Sequence, residues 1–243
     1  MLGFILFGAN FTIWIVLGFL IFGGVSMLFA KFRETQRRKG VELIAESLGI
    51  GPPRDTRPIR MLRHLPLFGV GRAQESSNVL AAEVPPTTLT IFDWRYTEGS
   101  GKQQTTTHQT VVGLTDETMD LPTFVLRPET LLNRMQSMLG FKDINFDEHP
   151  EFSNRCWLTS PEEARVRAMF NKKLMDHLVT LDNLQLQAGK HSFILFRPGR
   201  RQAPENFRDL MGLAYKTYEL LREASGSGSP SGESQDRETG QIA

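Results

Sequence analysis

Residues 99–102, Gly-Ser-Gly-Lys within the stretch YTEGSGKQQTT, are of the type that cradles nucleotide phosphates. A phosphate-binding loop reads Gly-x-x-x-x-Gly-Lys-[Ser/Thr] and opens a helix, so that backbone amides and the lysine meet the phosphates. Gly101 and Lys102 match the end of that pattern. Tyr96 stands where the first glycine belongs, and Gln103 where the magnesium-binding hydroxyl belongs. The following QQTTTHQTVV is a poor helix start and a good strand, because Thr and Val are stiff at χ1 and favour the pleat. The run reads as a hairpin tip, with Gly99 and Gly101 supplying left-handed backbone conformations.

A second cluster, DINFDEHPEF, brings Asp143, Asp147, Glu148, His149 and Glu151 close in sequence. Carboxylates and an imidazole are divalent-metal ligands, which makes Asp147, His149 and Glu151 the candidate set. The spacing matches neither an EF-hand nor a helical His-x-x-x-His pair, and Pro150 keeps His149 out of a helix. A solvated acidic loop accounts for it as well. Cys156 is the only cysteine, set between Arg155 and Trp157 on a predicted strand. It reads as a small buried hydrophobe, since no base and orienting group accompany it. The scattered histidines and the missing Gly-x-Ser-x-Gly elbow assign no catalytic residue. Arg200-Arg201 in RPGRRQ reads as a polar loop. No cofactor is called for.

The elements that must carry these residues begin with an apolar run. Residues 1–30 contain no charged side chain, and about 20 apolar residues suffice to cross a bilayer core. No Lys or Arg precedes the run and no Ala-x-Ala follows it, which argues against a cleaved signal peptide. The expectation is an uncleaved transmembrane signal-anchor over 1–30. Lys31, Arg33, Arg37, Arg38 and Lys39 follow at once, which predicts a single-pass protein with its N-terminus out and a cytoplasmic C-terminal domain. A lone cysteine fits a reducing compartment.

The formal net charge of +1 conceals an asymmetry. Residues 31–73 hold ten cations and four anions, so that the rest of the chain carries −5. Such a collar suits anionic headgroups, at about 1 kcal/mol per cation near the surface. Nucleic acid is a poor partner, because the collar lacks interleaved aromatics and the remainder is acidic.

Residues 31–50 read as a basic juxtamembrane amphipathic helix, with Val41, Ile44, Ala45 and Leu48 at helical spacing. Residues 51–64 read as a linker. Residues 65–224 read as one α+β domain, a mainly antiparallel sheet or partly open barrel with interspersed helices and a C-terminal helix. Strands are predicted in SNVLAAEV, TLTIFDWRYT, TTTHQTVVGLT, TFVLRP and FSNRCWLTS, and a hairpin in LQLQAGKHSFILFRP turns at Gly189-Lys190. Helices are predicted in ETLLNRMQSMLG, in SPEEARVRAMFNKKLMDHLVTLD capped by Ser160, and in PENFRDLMGLAYKTYELLREA. Residues 225–243 have no apolar payload before Ile242 and read as a disordered tail.

Several of these segments also carry a resemblance. The stretches IFDWRYTEGSGKQQTTTHQTVV (with Phe-Asp-x-x-Tyr-Thr), LPTFVLRPE and DINFDEHPEFSNRCWLTSPEEARVRAMFN (with Pro-Glu-Phe-Ser) resemble a group of uncharacterised bacterial single-pass membrane proteins. The resemblance implies a prokaryotic source and the inner membrane, and it brings no activity or catalytic residue. The Cys156-Trp157 strand departs from it, relatives favouring a tyrosine nearby.

Two functions remain open on the sequence. One is a non-enzymatic module that binds the lipid bilayer, its anionic headgroups through Lys31, Arg33, Arg37, Arg38 and Lys39, or a membrane or cytoplasmic protein partner. The alternative is a metal-dependent enzyme using the acidic loop 143–151.

Overall fold

The computed structural model describes residues 2–53, 55–129, 142–181 and 183–226, with only the backbone of residues 2–16, 18 and 19. The chain divides into two compact units, Met1–Gly49 and Ile50–Ala243. The predicted helix in ETLLNRMQSMLG and nearly all of the predicted tail lie outside the described residues.

The first unit is one helix, α1 (Leu2–Leu48), which runs through Gly40 without interruption. Gly49 ends it with φ +66°, and its N–H reaches the Glu46 carbonyl at 3.2 Å. A left-handed residue just past a helix is the role glycine fills most easily. Among the described residues, no helix is long and apolar enough to cross a membrane. That finding overturns the transmembrane signal-anchor over 1–30, and with it the single-pass topology and the inner-membrane, N-terminus-out placement.

The second unit is built on a seven-stranded antiparallel sheet, in the order β1-β2-β3-β7-β6-β4-β5. Its strands are β1 (Arg72–Val84), β2 (Thr87–Glu98), β3 (Thr105–Asp116), β4 (Leu121–Pro128), β5 (Cys156–Thr159), β6 (Gln185–Lys190) and β7 (Ser192–Phe196). The sheet is open rather than a barrel, because β1 and β5 are separate edges.

Alternation on β2 decides what lies on each face. Phe92, Trp94 and Tyr96 join Val111, Ile194 and Phe196 in one cluster, covered by Ile59, Leu62, Leu65, Leu67 and Phe68. The cover comes from α2 (Arg57–Leu62) and the 3-10 turn Pro66–Gly69, inside and just after the stretch read as a linker. Phe68 meets Trp94 edge to face at 4.8 Å between ring centroids. α2 packs tightly over Gly113, since a Cβ there would sit 2.5 Å from Leu62 Cδ1. The opposite face takes α6 (Phe207–Ala224), whose Phe207, Leu210, Ala214, Tyr218 and Leu221 are buried.

Two further segments differ from expectation. FSNR is not strand but part of α3 (Pro150–Arg155), with β5 beginning only at Cys156. The long helical run divides into α4 (Glu163–Met169) and α5 (Lys172–Val179), because Asn171 Oδ1 accepts from the Leu174 N–H at 2.9 Å and starts a new helix. Ser160 is not the cap of α4. Its hydroxyl donates to the Thr123 carbonyl at 2.6 Å and accepts from the Glu162 N–H at 2.8 Å, tying the turn to β4.

Candidate functional site

The Gly-Ser-Gly-Lys run is the tip of the β2–β3 hairpin. Gly99 and Gly101 have φ +73° and +57°, and Lys102 is exposed in a 3-10 turn of three residues. A Cβ on Gly99 would lie 2.4 Å from the Gln103 carbonyl oxygen, so the turn itself requires glycine. Strand β3 follows directly and no helix opens there. The geometry is that of a turn, not of a phosphate cradle.

The acidic loop does not assemble the proposed ligands. Asp147 is exposed, and Glu151 is exposed and 3.5 Å from Arg155. His149 is buried with both ring nitrogens committed. Nδ1 accepts the Phe152 N–H at 3.1 Å, capping α3, and Nε2 lies 2.8 Å from Asp176 Oδ1 on α5. An acceptor Nδ1 fixes the ring proton on Nε2, which donates to Asp176. Lys172, 2.7 Å away, and then His149 hold the Asp176 carboxyl below the usual carboxylate range. Asp143 serves the backbone instead, accepting from the Leu158 N–H at 3.0 Å. Among the described residues, no three His, Cys, Asp or Glu side chains form a group able to hold a metal ion. The partnership with Asp176 had no sequence signal, since the two residues lie 27 positions apart.

Cys156 is buried on β5, beside a cleft of about 360 Å³ walled by Leu126, Leu178, Val179 and Leu184. Burial pushes its thiol up to about 11, with Asp143 and Glu129 adding to the rise and Arg155 opposing it. The thiolate is the nucleophile, so this sulfur is protonated and inert near neutrality.

The charged groups buried in the sheet hold elements together. Asp93 accepts from Thr110 Oγ1 at 2.8 Å, Asn78 Nδ2 at 2.9 Å and Arg201 at 2.8 Å. Asp116 accepts from Tyr218 of α6 at 2.7 Å and from the Thr118 N–H and hydroxyl at 2.8 and 2.6 Å. Burial alone would raise the Asp116 carboxyl, but these donors and nearby Arg222 hold it below its ordinary value. Burial, then the bond to Asp116 and its charge, push Tyr218 from 10 up to about 12. A phenol raised on folding stabilises the fold below its unfolded value, and that contribution is lost as pH rises through the folded value. Tyr218→Phe is therefore expected to cost about 2 kcal/mol at neutral pH, where it removes a donor to a buried carboxylate. In denaturant titrations the gap between the wild type and the variant should close as pH rises through about 12. A gap that stays constant across that window would refute the assignment.

The remaining candidate surface is on α1. Leu20, Phe22, Leu28 and Phe29 are 68%, 72%, 68% and 61% exposed, and Ile21, Val25, Met27 and Phe32 are exposed beside them. The collar begins within this stretch. Lys31, Arg33, Arg38 and Lys39 are exposed and Arg37 half-buried. At about 100° per residue, Lys31, Arg38 and Lys39 fall on one side of the helix and Arg33 and Arg37 on the other. Local partners occupy parts of the collar: Arg38 lies 3.4 Å from Glu42, and Arg33 stands over the Phe29 ring at 5.9 Å. The result is an apolar cylinder with a basic ring on one continuous helix.

No protein-family model and no curated protein matches the chain. Among solved structures, the chain is similar to the crystal structure of the mycobacterial trehalose monomycolate transport factor A, at a TM-score of 0.49 and 12% identity. The match covers 82% of this chain and 97% of that one. A likeness this slight carries neither fold nor function across.

Proposed function

We propose that the protein is a non-enzymatic module that binds an anionic lipid surface through α1. The observation that carries this reading is the exposed apolar run from Leu20 to Phe32, which merges into five cations on the same helix. A large exposed apolar surface rimmed by polar groups marks an interaction site. Removing each such side chain from water is worth about 1.5–3 kcal/mol, which supplies the affinity. Cations beside an apolar surface add attraction to phosphate-bearing headgroups, which supplies the preference for negative lipid.

The full chain should co-float with phosphatidylcholine vesicles that contain phosphatidylserine, more strongly than with phosphatidylcholine alone. Added salt should shrink that difference, because screening acts on the charges and not on the apolar contact. A chain that stays with the aqueous fraction in both cases would sink the proposal.

A further inference from the structure

We infer that the folded second unit carries its own contact for an anionic lipid surface, formed by Arg60 of α2 and Arg63 just past its end together with Lys190 at the β6–β7 turn. The inference rests on the lipid-surface reading above and extends it to a second, separate patch.

Helix α2 buries Pro58, Ile59 and Leu62. At about 100° per residue the opposite side then presents Arg57 and Arg60, and Arg63 and His64 follow directly after the last turn. Arg60, Arg63 and His64 are exposed. The His64 ring places this end of the helix against the β6–β7 turn. Its Nδ1 lies 2.9 Å from the Met61 carbonyl oxygen, and its Nε2 lies 3.0 Å from the Gly189 carbonyl oxygen and 3.3 Å from Ser192 Oγ. Lys190 is the exposed tip of that turn, held with φ +54°. The His64 contact to Gly189 thus brings the end of α2 that carries Arg60 and Arg63 beside the turn that carries Lys190.

Among the described residues, Arg60, Arg63 and Lys190 have no anionic partner. Arg57 differs, since it lies 3.4 Å from Glu117, and Glu83 and Glu117 line a cleft with it on the far flank of α2. The patch is therefore basic on one side and bounded by carboxylates on the other. Long exposed cations with no enclosing pocket suit a surface of many phosphates better than a single small anion. Nucleic acid fits less well, because no exposed aromatic is interleaved for base stacking and the flanking carboxylates would face a continuous polyanion.

The test compares four full-length proteins on vesicles with and without phosphatidylserine. They are the wild type, a patch variant (Arg60→Gln, Arg63→Gln, Lys190→Gln), a collar variant (Lys31→Gln, Arg33→Gln, Arg37→Gln, Arg38→Gln, Lys39→Gln) and the combination. The patch variant is expected to partition into anionic vesicles roughly tenfold or more less than the wild type, with partition into neutral vesicles unchanged. Unchanged thermal unfolding would show that these exposed side chains were replaced without damage to the fold. The collar variant should keep some preference for anionic vesicles, which the combination removes. A patch variant that binds like the wild type overturns this inference and leaves the α1 reading standing. A loss in the patch variant with none in the collar variant supports the patch and overturns the collar's part. A wild type without anionic preference overturns both. Binding of a duplex DNA that the patch substitutions abolish, with vesicle partition unchanged, would overturn the lipid assignment.

Discussion

Replacing Lys31, Arg33, Arg37, Arg38 and Lys39 by glutamine is expected to lower partition into phosphatidylserine-containing vesicles by roughly a hundredfold to several thousandfold. Five cations at about 1 kcal/mol each set the upper end of that range. The lower end follows from the structure. Arg38 already shares its charge with Glu42 at 3.4 Å, and Glu34 and Glu42 remain in the neutralised helix. Partition into neutral vesicles should change little, because the eight apolar side chains between Leu20 and Phe32 are untouched. A second arm separates the two contributions. Phe22→Ser with Leu28→Ser should weaken binding to both kinds of vesicle, since burial of apolar area does not depend on headgroup charge. Equal losses on neutral and anionic vesicles for the glutamine variant would show that the cations act through helix stability and not through headgroups. Helices tolerate glutamine about as well as lysine and arginine, so circular dichroism should find α1 intact.

How much of this was legible in the sequence depended on the range of the interaction. The β2–β3 hairpin could be read because Phe92, Trp94 and Tyr96 alternate and two glycines mark the turn, all within one stretch of chain. The β6–β7 turn and the apolar stripe of α6 were open to the same local argument. Helix α2 was not. Six residues are too few for a 3.6-residue period to emerge, and Pro52, Pro53 and Pro58 read as linker. Its helical state comes from Ile59 and Leu62 entering the core over Gly113, a contact no local pattern reveals. Helix α3 was hidden similarly, since its cap is a histidine ring rather than one of the usual Ser, Thr, Asp or Asn side chains. The anchor was the opposite kind of error. An uncharged run of 30 residues followed by a basic collar was read as a span, whereas among the described residues no helix is long and apolar enough to cross a membrane. The sheet order also lay beyond reach. β7 pairs with β3, a strand about 80 positions earlier, and no alternation pattern specifies that pairing. At the candidate sites the same rule applies. Nothing near His149 announced Asp176, and nothing near Arg201 announced Asp93, 108 positions away.

That last pair gives the largest expected effect on stability. Arg201, read from RPGRRQ as part of a polar loop, reaches Asp93 at 2.8 Å, with the Asp93 side chain only 5% exposed. The same loop is fastened by its backbone. The Gln202 N–H donates to Thr110 Oγ1 at 2.9 Å, the Gly199 N–H to Gln109 Oε1 at 3.0 Å, and the Thr110 N–H to the Arg200 carbonyl at 3.1 Å. Removing one member of a buried ion pair leaves the other charge uncompensated, which costs about 3–5 kcal/mol. Arg201→Met is expected near the lower end, about 3 kcal/mol, because Thr110 and Asn78 still donate to the carboxylate and Arg201 is itself partly solvated. Equilibrium unfolding in urea should show the loss as a shifted midpoint at constant slope. One further result distinguishes charge from packing. Adding Asp93→Asn to the variant should recover about 1 kcal/mol or more, since the amide removes the buried charge and keeps a hydrogen-bonding group in place. A loss that Asp93→Asn does not relieve would mean that Arg201 acts through packing of its stem. The ion pair would then have no part in fixing the loop to the sheet.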